Sequence, residues 1–119
     1  MAYVLIVIGI QKNINMGFDQ YHEPPEELSK QTRTLARMFA SLQEEIEAIN
    51  WYEQRISVET DADAKAIMQN AQQEEFKHFG MDLEFLLRKK EKFRETLQAI
   101  LFKQGDIVKL GEKGEEAAE

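Results

Sequence analysis

The sequence predicts an all-α fold, in which an antiparallel two-helix hairpin and a short C-terminal helix dimerise into a four-helix bundle. Three observations predict it. Two long stretches carry apolar side chains at steps of three and four residues, the spacing of one helix face. A short break separates these stretches. Each stretch also carries carboxylates where its face should be apolar, at equal distances from the break.

Composition restricts the chemistry that this chain can perform. Its 119 residues suggest one domain. A net charge of −7 argues against a nucleic-acid partner, because phosphate binding needs clustered Lys and Arg. Without cysteine and with two histidines, a metal site must rely mainly on carboxylates, which favour hard ions such as iron or manganese. The absence of cysteine also fits a cytoplasmic location.

The N-terminal segment, residues 1–21, is predicted to be an apolar arm of unknown role. Residues 1–10 are almost wholly apolar, but a membrane span needs about 20 such residues. A signal peptide has its basic residue before the apolar run, whereas Lys12 follows it. We therefore expect no membrane partner. The arm is interpreted as an extra strand, a packing arm or residues upstream of a start at Met16.

The first long helix is predicted over residues 29–57. Pro24 and Pro25 break the chain before it, and Ser29 is a suitable N-cap. Glu45 falls on the apolar seam of this helix, where an ionised carboxylate is costly unless it is paired or binds metal. The other residues of the seam are Leu35, Met38, Leu42, Ile49, Tyr52 and Ile56.

The second long helix is predicted over residues 61–90. Thr60 and Asp63 resemble a capping box at its start. Its seam carries three successive ionisable residues at core positions. The seam consists of Ala64, Met68, Ala71, Glu75, His78, Asp82 and Phe85.

A third, shorter helix is predicted over residues 91–103, with Gly105 as its C′ residue. It closes a helical domain that spans residues 22–110. Residues 111–119 combine Gly, Glu and Ala without apolar periodicity, so they are predicted to be a flexible acidic tail.

The two helices place three ligand-type side chains at one level. If Thr60 is the turn, Glu45 lies fifteen residues before it and Glu75 fifteen after it. At about 1.5 Å per residue, both carboxylates lie about 22 Å from the turn. His78 lies one turn beyond Glu75, on the same face. We expect Glu45, Glu75 and His78 to converge and to bind metal.

This set is half of a di-iron site. Di-iron bundles use a Glu from each of two helices and a Glu-x-x-His motif from each of the other two. The chain supplies one of each, and its two long apolar faces also need two more helices to cover them. Homodimerisation about a two-fold axis meets both needs. The pair of iron ions is then expected at the dimer interface.

Neighbouring residues have two interpretations each. Asp82 is either an outer ligand or a salt-bridge residue, and Tyr52 either offers its hydroxyl to the site or is an ordinary buried tyrosine. Trp51 lies off the seam and is interpreted as an interface anchor. Glu44 and Glu47 also lie off the seam, as expected of a solvated face. The whole cluster also has an alternative interpretation, in which its carboxylates pair with basic residues of a partner helix.

Longer strings of residues resemble the encapsulated ferritins. The resemblance covers about residues 22–108, and its most specific part runs from Glu44 to Arg55. The strings that carry it are His22-Glu23-Pro24, Glu27-Leu28-Ser29, Glu44-Glu45-Ile46-Glu47-Ala48-Ile49-Asn50-Trp51-Tyr52-Glu53-Gln54-Arg55, Glu74-Glu75-Phe76-Lys77-His78 and Ile100-Leu101-Phe102.

The resemblance implies a function and a set of partners. It implies a ferroxidase that oxidises Fe(II) with oxygen at a ferritin-like site completed by dimerisation. It also implies assembly of the dimers into an annular decamer, enclosed in an encapsulin shell where iron is mineralised. By position, Glu45, Glu75 and His78 match the iron ligands and Tyr52 matches a tyrosine beside them. The residues that match a secondary metal site on the access route are Glu44, Glu47 and Trp51.

Two other functional classes remain as alternatives. One is a non-catalytic dimerisation module whose buried charges fix register. The other is a di-iron peroxidase or oxygenase on the same bundle. The family's members usually end in a peptide that docks into the shell, whereas this sequence ends in the acidic tail, as expected of either a truncated chain or a fusion to a shell protein.

Overall fold

The computed structural model describes residues 21–119, and all regular structure in that range is helical. Four α-helices follow a single 3-10 turn at Pro25–Glu27. They are α1 (Lys30–Val58), α2 (Ala62–Lys89), α3 (Glu91–Gln98) and α4 (Ile107–Ala117). The predicted all-α class is confirmed. The predicted N-terminal arm, apart from Tyr21, lies outside the described residues.

Residues 21–40 and residues Ser41–Glu119 belong to two separate compact units, and the candidate metal centre lies in the second. Among residues 21–119, no helix combines the length and the apolar content that a membrane crossing requires.

The ends of α1 and α2 follow from local hydrogen bonds. Ser29 caps α1 as predicted, since its Oγ accepts from the backbone N–H of Thr32 at 3.0 Å. The cap of α2 differs from the predicted Thr60. Asp61 takes that role, and its Oδ1 accepts from the N–H of Ala64 at 2.9 Å. A carboxylate at this position also favours the positive end of the helix dipole, which explains why Asp61 is preferred.

Helix α3 is shorter than predicted, because the chain leaves helical geometry after Gln98. Phe102 adopts a positive φ of 61°, and Gly105 one of 123°. A left-handed conformation costs a non-glycine residue of order 1 kcal/mol, whereas glycine adopts it readily. These two residues reverse the chain, and α4 then packs against α3.

The prediction of a flexible tail over residues 111–119 is wrong, since most of this segment belongs to α4. Asp106 caps the helix by accepting from the N–H of Lys109 at 3.0 Å. Gly114 is buried against α3, and a Cβ built there would lie 2.7 Å from the carbonyl oxygen of Thr96. Within residues 111–119 the contact with α3 is made by a glycine, so this segment lacks the large apolar residues on which the prediction relied.

The close approach at Gly114 gives a matched pair of glycine substitutions. Gly114→Ala should destabilise the protein by roughly 1–3 kcal/mol, because the new methyl group overpacks the contact with α3. Gly111→Ala should stabilise it by about 0.5–1 kcal/mol, since a Cβ there meets nothing within 4 Å and alanine is the better helix former. Urea denaturation measures both. Equal effects of the two substitutions would contradict the observed packing of α4.

Candidate metal centre

Helices α1 and α2 run antiparallel, and polar side chains meet between them. Ligand atoms of Glu45, Glu75 and His78 all lie within 4.8 Å of one another. The Nδ1 atom of His78 is 3.8 Å from Oε2 of Glu75, and the two side chains are 42% and 25% exposed. The structure thus brings together the three side chains that were placed at one level from their distance to the turn.

Two buried carboxylate oxygens between α1 and α2 have no hydrogen-bond partner among the described residues. They are Oε2 of Glu45 and Oδ2 of Asp82. Burial, then the neighbouring carboxyl group of Asp82 and its negative charge, with smaller contributions from Glu75 and Glu44, raise the pKa of Glu45 to about 7. A cation at this point would pair with the orphaned oxygen.

Asp82 and Glu45 share this acidic environment across the two helices. The ion pairs of residues 21–119 do not include Asp82, so the salt-bridge interpretation finds no basic partner within the described part of the chain. Two neighbouring carboxylates repel each other when both are ionised. Asp82 therefore increases the attraction of the cluster for a positive ion.

The remaining predicted site residues lie outside this cluster. Tyr52 is half-buried, seven residues or about two turns along α1 from Glu45, with the Arg55 guanidinium 5.5 Å from its ring centroid. Glu44 is exposed, Glu47 is half-buried, and Trp51 is 50% exposed. Trp51 lines an open depression with Gln54 and Arg55. These residues flank the cluster along α1 without joining it in one chain.

A polar contact that was not predicted from the sequence lies one turn from the cluster. The buried Gln72 of α2 donates from Nε2 to Oε2 of Glu53 at 2.7 Å and to the carbonyl oxygen of Ile49 at 3.2 Å. Gln72 stands three residues before Glu75, on the side of α2 that faces α1. The sequence did contain a signal for this contact, namely a glutamine three residues before Glu75 on the same helix face.

The metal-free chain should lose stability as pH rises through the titration of Glu45. Its folded-state pKa of about 7 exceeds the ordinary value of 4.5, so the folded chain binds more protons between these values. The free energy of unfolding should therefore fall from pH 4.5 to about 7 and show no further change from this group above that. Glu45→Gln should flatten this slope, and urea denaturation at several pH values measures it.

The matched control for this experiment is the exposed Glu112 of α4. Glu112→Gln should keep the slope of the parent chain. A parent slope that survives Glu45→Gln unchanged would show that Glu45 does not retain its proton in the folded state.

Fold and site together define a class of protein: a helical hairpin of the ferritin-like type that carries a carboxylate–histidine cluster between its two long helices. The EncFtn-like family matches residues 20–104, and the chain belongs to this family. The resemblance to encapsulated ferritins drawn from the sequence is thereby confirmed.

Individual relatives agree with this assignment. A protein of Thermotoga maritima named "Ferritin-like protein" is 39% identical over 95 residues, which cover 80% of this chain and 83% of that protein. The "Encapsulated ferritin-like protein" of Rhodospirillum rubrum is 41% identical over 86 residues, or 72% of this chain. The matched region spans 61% of the Rhodospirillum protein's length.

A solved structure has the same fold. The crystal structure of protein ne0167 from Nitrosomonas europaea matches with a TM-score of 0.72 and 39% sequence identity. The match covers 75% of this chain and 98% of that one.

Proposed function

We propose that the chain is a ferroxidase, which oxidises Fe(II) to Fe(III) at a di-iron site shared between two subunits. The observation that supports this most strongly is the convergence of Glu45, Glu75 and His78, whose ligand atoms lie within 4.8 Å of one another. Two ligands about 2.1 Å from one ion lie at most about 4.2 Å apart, so small side-chain rotations suffice for binding. Membership in the EncFtn-like family supports iron as the metal.

The donor set suits iron as a substrate. Two carboxylates and an imidazole bind Fe(II), and the hard anionic oxygens of Glu45 and Glu75 stabilise the higher charge of Fe(III). The buried, unpartnered Oε2 of Glu45 fits a position that a cation occupies during turnover. Each subunit contributes one such set, and two sets about a two-fold axis supply the four carboxylates and two imidazoles of a di-iron site.

Exposed apolar side chains support the shared site. Ile46 and Phe76 follow Glu45 and Glu75 in the sequence and are 49% and 51% exposed in the single chain. Within Ser41–Glu119, only Leu86 and Leu87 are buried apolar residues with large side chains. A second copy packed on the hairpin would cover the exposed residues and complete the bundle. We therefore propose a homodimer, and by family an annular decamer.

The proposed reaction balances without a protein nucleophile. Two Fe(II) ions each lose one electron, and O2 takes both electrons with two protons to give two Fe(III) and H2O2. Glu45, Glu75 and His78 hold the ions close together, and Tyr52 lies beside the site along α1. Glu44, Glu47 and Trp51 are proposed to line the access route, as a secondary metal site at which Fe(II) is collected before oxidation.

The proposed setting is a cytoplasmic encapsulin shell. The name of the Rhodospirillum relative, "Encapsulated ferritin-like protein", supports an encapsulin partner. In that compartment, oxidised iron would be mineralised and stored.

Oxygen consumption tests the reaction against its rivals. With Fe(II) below the capacity of the site, the protein should consume one O2 per two Fe(II), faster than iron oxidises in buffer. A peroxidase would instead require added peroxide, and an oxygenase would require an organic substrate. A register-fixing module would leave the rate at that of buffer, and this result would overturn the proposal.

A further inference from the structure

Gln72 is a buried polar side chain that links the two long helices. It is 8% exposed, and within the described residues it is the one buried polar side chain. Its Nε2 donates to Oε2 of Glu53 at 2.7 Å and to the carbonyl oxygen of Ile49 at 3.2 Å. Both acceptors belong to α1, whereas Gln72 belongs to α2. One amide group therefore ties the two helices together at a single level.

This tie lies one turn from the candidate ligands on both helices. Gln72 precedes Glu75 by three residues, and Ile49 follows Glu45 by four. Residues at these spacings share a helix face and lie about 5 Å apart along the axis. The Ile49 oxygen is a backbone atom, so a bond to it holds the backbone of α1 and not only a flexible side chain. The bond therefore fixes how far α1 can slide along α2.

Sliding is the motion that would damage the cluster most. A shift of one residue moves a helix by about 1.5 Å along its axis. A functional constellation must hold its groups within about 0.5 Å of the productive arrangement. Apolar contacts between helices are non-directional and resist such small shifts less than a hydrogen bond with defined geometry.

We propose that Gln72 is a positioning residue, which fixes the axial register of the two helices and so holds Glu45 at the level of Glu75 and His78. The inference rests on the proposed metal site. Gln72 does not bind the ion itself. The competing explanation is that Gln72 merely fills space, in which case an apolar side chain of similar length serves equally well.

Gln72→Met separates these explanations. Methionine keeps the length of the side chain and removes the hydrogen-bond donor. The two acceptors keep other partners, because the Ile49 carbonyl lies inside a helix and Glu53 is exposed to water. Gln73→Met, at the exposed neighbouring position, is the matched control. Co(II) serves as the probe, because its visible absorption reports coordination geometry and its titration gives affinity.

The full-length Gln72→Met variant should bind Co(II) about 10- to 100-fold more weakly than the parent, the range known for residues that orient metal ligands. Its absorption band should also change in shape. Helicity and thermal midpoint of the metal-free variant should stay near the parent values. Gln73→Met should match the parent in every measurement. Parental affinity and spectrum in Gln72→Met would overturn the inference.

A reversed pair keeps the test decisive should Gln72→Met fail to fold. Gln72→Glu sets two carboxylates against each other and removes the donor to the Ile49 oxygen. Glu53→Gln combined with Gln72→Glu restores the amide–carboxylate bond with donor and acceptor exchanged, but not the bond to Ile49. The double variant should therefore recover the part of the Co(II) affinity that depends on the bond between positions 53 and 72. Equal affinities of the single and double variants would count against a positioning role for that bond.

Iron oxidation separates this inference from the proposed function. If the parent binds Co(II) and Gln72→Met weakens that binding, the positioning role stands even if the parent oxidises no iron. If the parent oxidises iron and Gln72→Met binds Co(II) like the parent, the proposed function stands and the positioning role fails. A parent chain that binds no Co(II) overturns both.

Discussion

Replacing Glu75 by alanine should abolish most of the iron oxidation, with initial rates at least about 100-fold below those of the parent. Even residues that only orient ligands cost 10- to 100-fold. Glu75 would itself bind the ion, and in a symmetric dimer one substitution removes a ligand from both halves of the site. Glu45→Ala and His78→Ala should have effects of the same size. The initial rate of Fe(III) formation under air measures each variant.

These variants should remain folded, which distinguishes lost chemistry from lost structure. Removing Glu45 or Glu75 from a half-buried group of carboxylates relieves repulsion, so these two metal-free variants should unfold at the same temperature as the parent or a higher one. His78→Ala removes no negative charge and should leave the thermal midpoint near that of the parent. Circular dichroism checks helicity and the thermal midpoint. Parental oxidation by Glu75→Ala would make the register-fixing module the better account of the cluster.

Glu44→Ala and Glu47→Ala are the matched controls for the ligand variants. Both residues lie on α1 beside Glu45, but neither belongs to the three-residue cluster. They should slow the delivery of iron while leaving the site able to bind it. Tyr52→Phe should have an intermediate effect, since it deletes one hydroxyl group and little volume. Crystallographic metal occupancy of each variant separates delivery from binding.

Adding metal should shift the protein from monomer towards dimer or ring. An ion that binds only where two chains meet stabilises the assembled state by RT ln(1 + [L]/Kd) per ion. At a free metal concentration 100 times the Kd, this amounts to about 2.7 kcal/mol. That figure corresponds to a change of about 100-fold in the association constant for each ion. Light scattering with Zn(II), at a protein concentration where monomer is present, measures the shift.

The control for assembly combines Glu75→Ala with His78→Ala, which should remove the response to metal while leaving any metal-independent association intact. A size distribution that is the same with Zn(II) and with chelator, in the parent chain, would contradict a shared site.

The sequence was informative where the physical signal is periodic. Glu45, Glu75 and His78 stand on apolar seams, and counting residues from the turn placed them at one level without knowledge of their neighbours. The ends of α1 and α2 were predicted to within one residue for the same reason, since caps and apolar seams are local features of the sequence. The family resemblance rested on the string from Glu44 to Arg55, whose order is specific.

Two features could not be read so directly. Helix α4 approaches α3 closely at Gly114, which has no side chain, so the sequence of residues 111–119 resembles a flexible tail. The contact of Gln72 with Ile49 joins a side chain to a backbone oxygen of another helix, which no residue type at position 49 predicts. The proximity of Glu45 to Asp82 likewise depends on how two helices are rotated against each other.

Anaerobic Fe(II) titration followed by admission of air tests the central claim most directly. The parent protein should bind two Fe(II) per pair of chains, and the ferric absorbance that develops in air should saturate at the same ratio. The Glu75→Ala and His78→Ala double variant should bind none at this site. Because two ions per dimer and one ion per isolated chain give the same ratio, light scattering of the loaded protein accompanies the titration. Loaded chains that remain monomeric, or oxidation no faster than in buffer, would contradict a shared di-iron ferroxidase site.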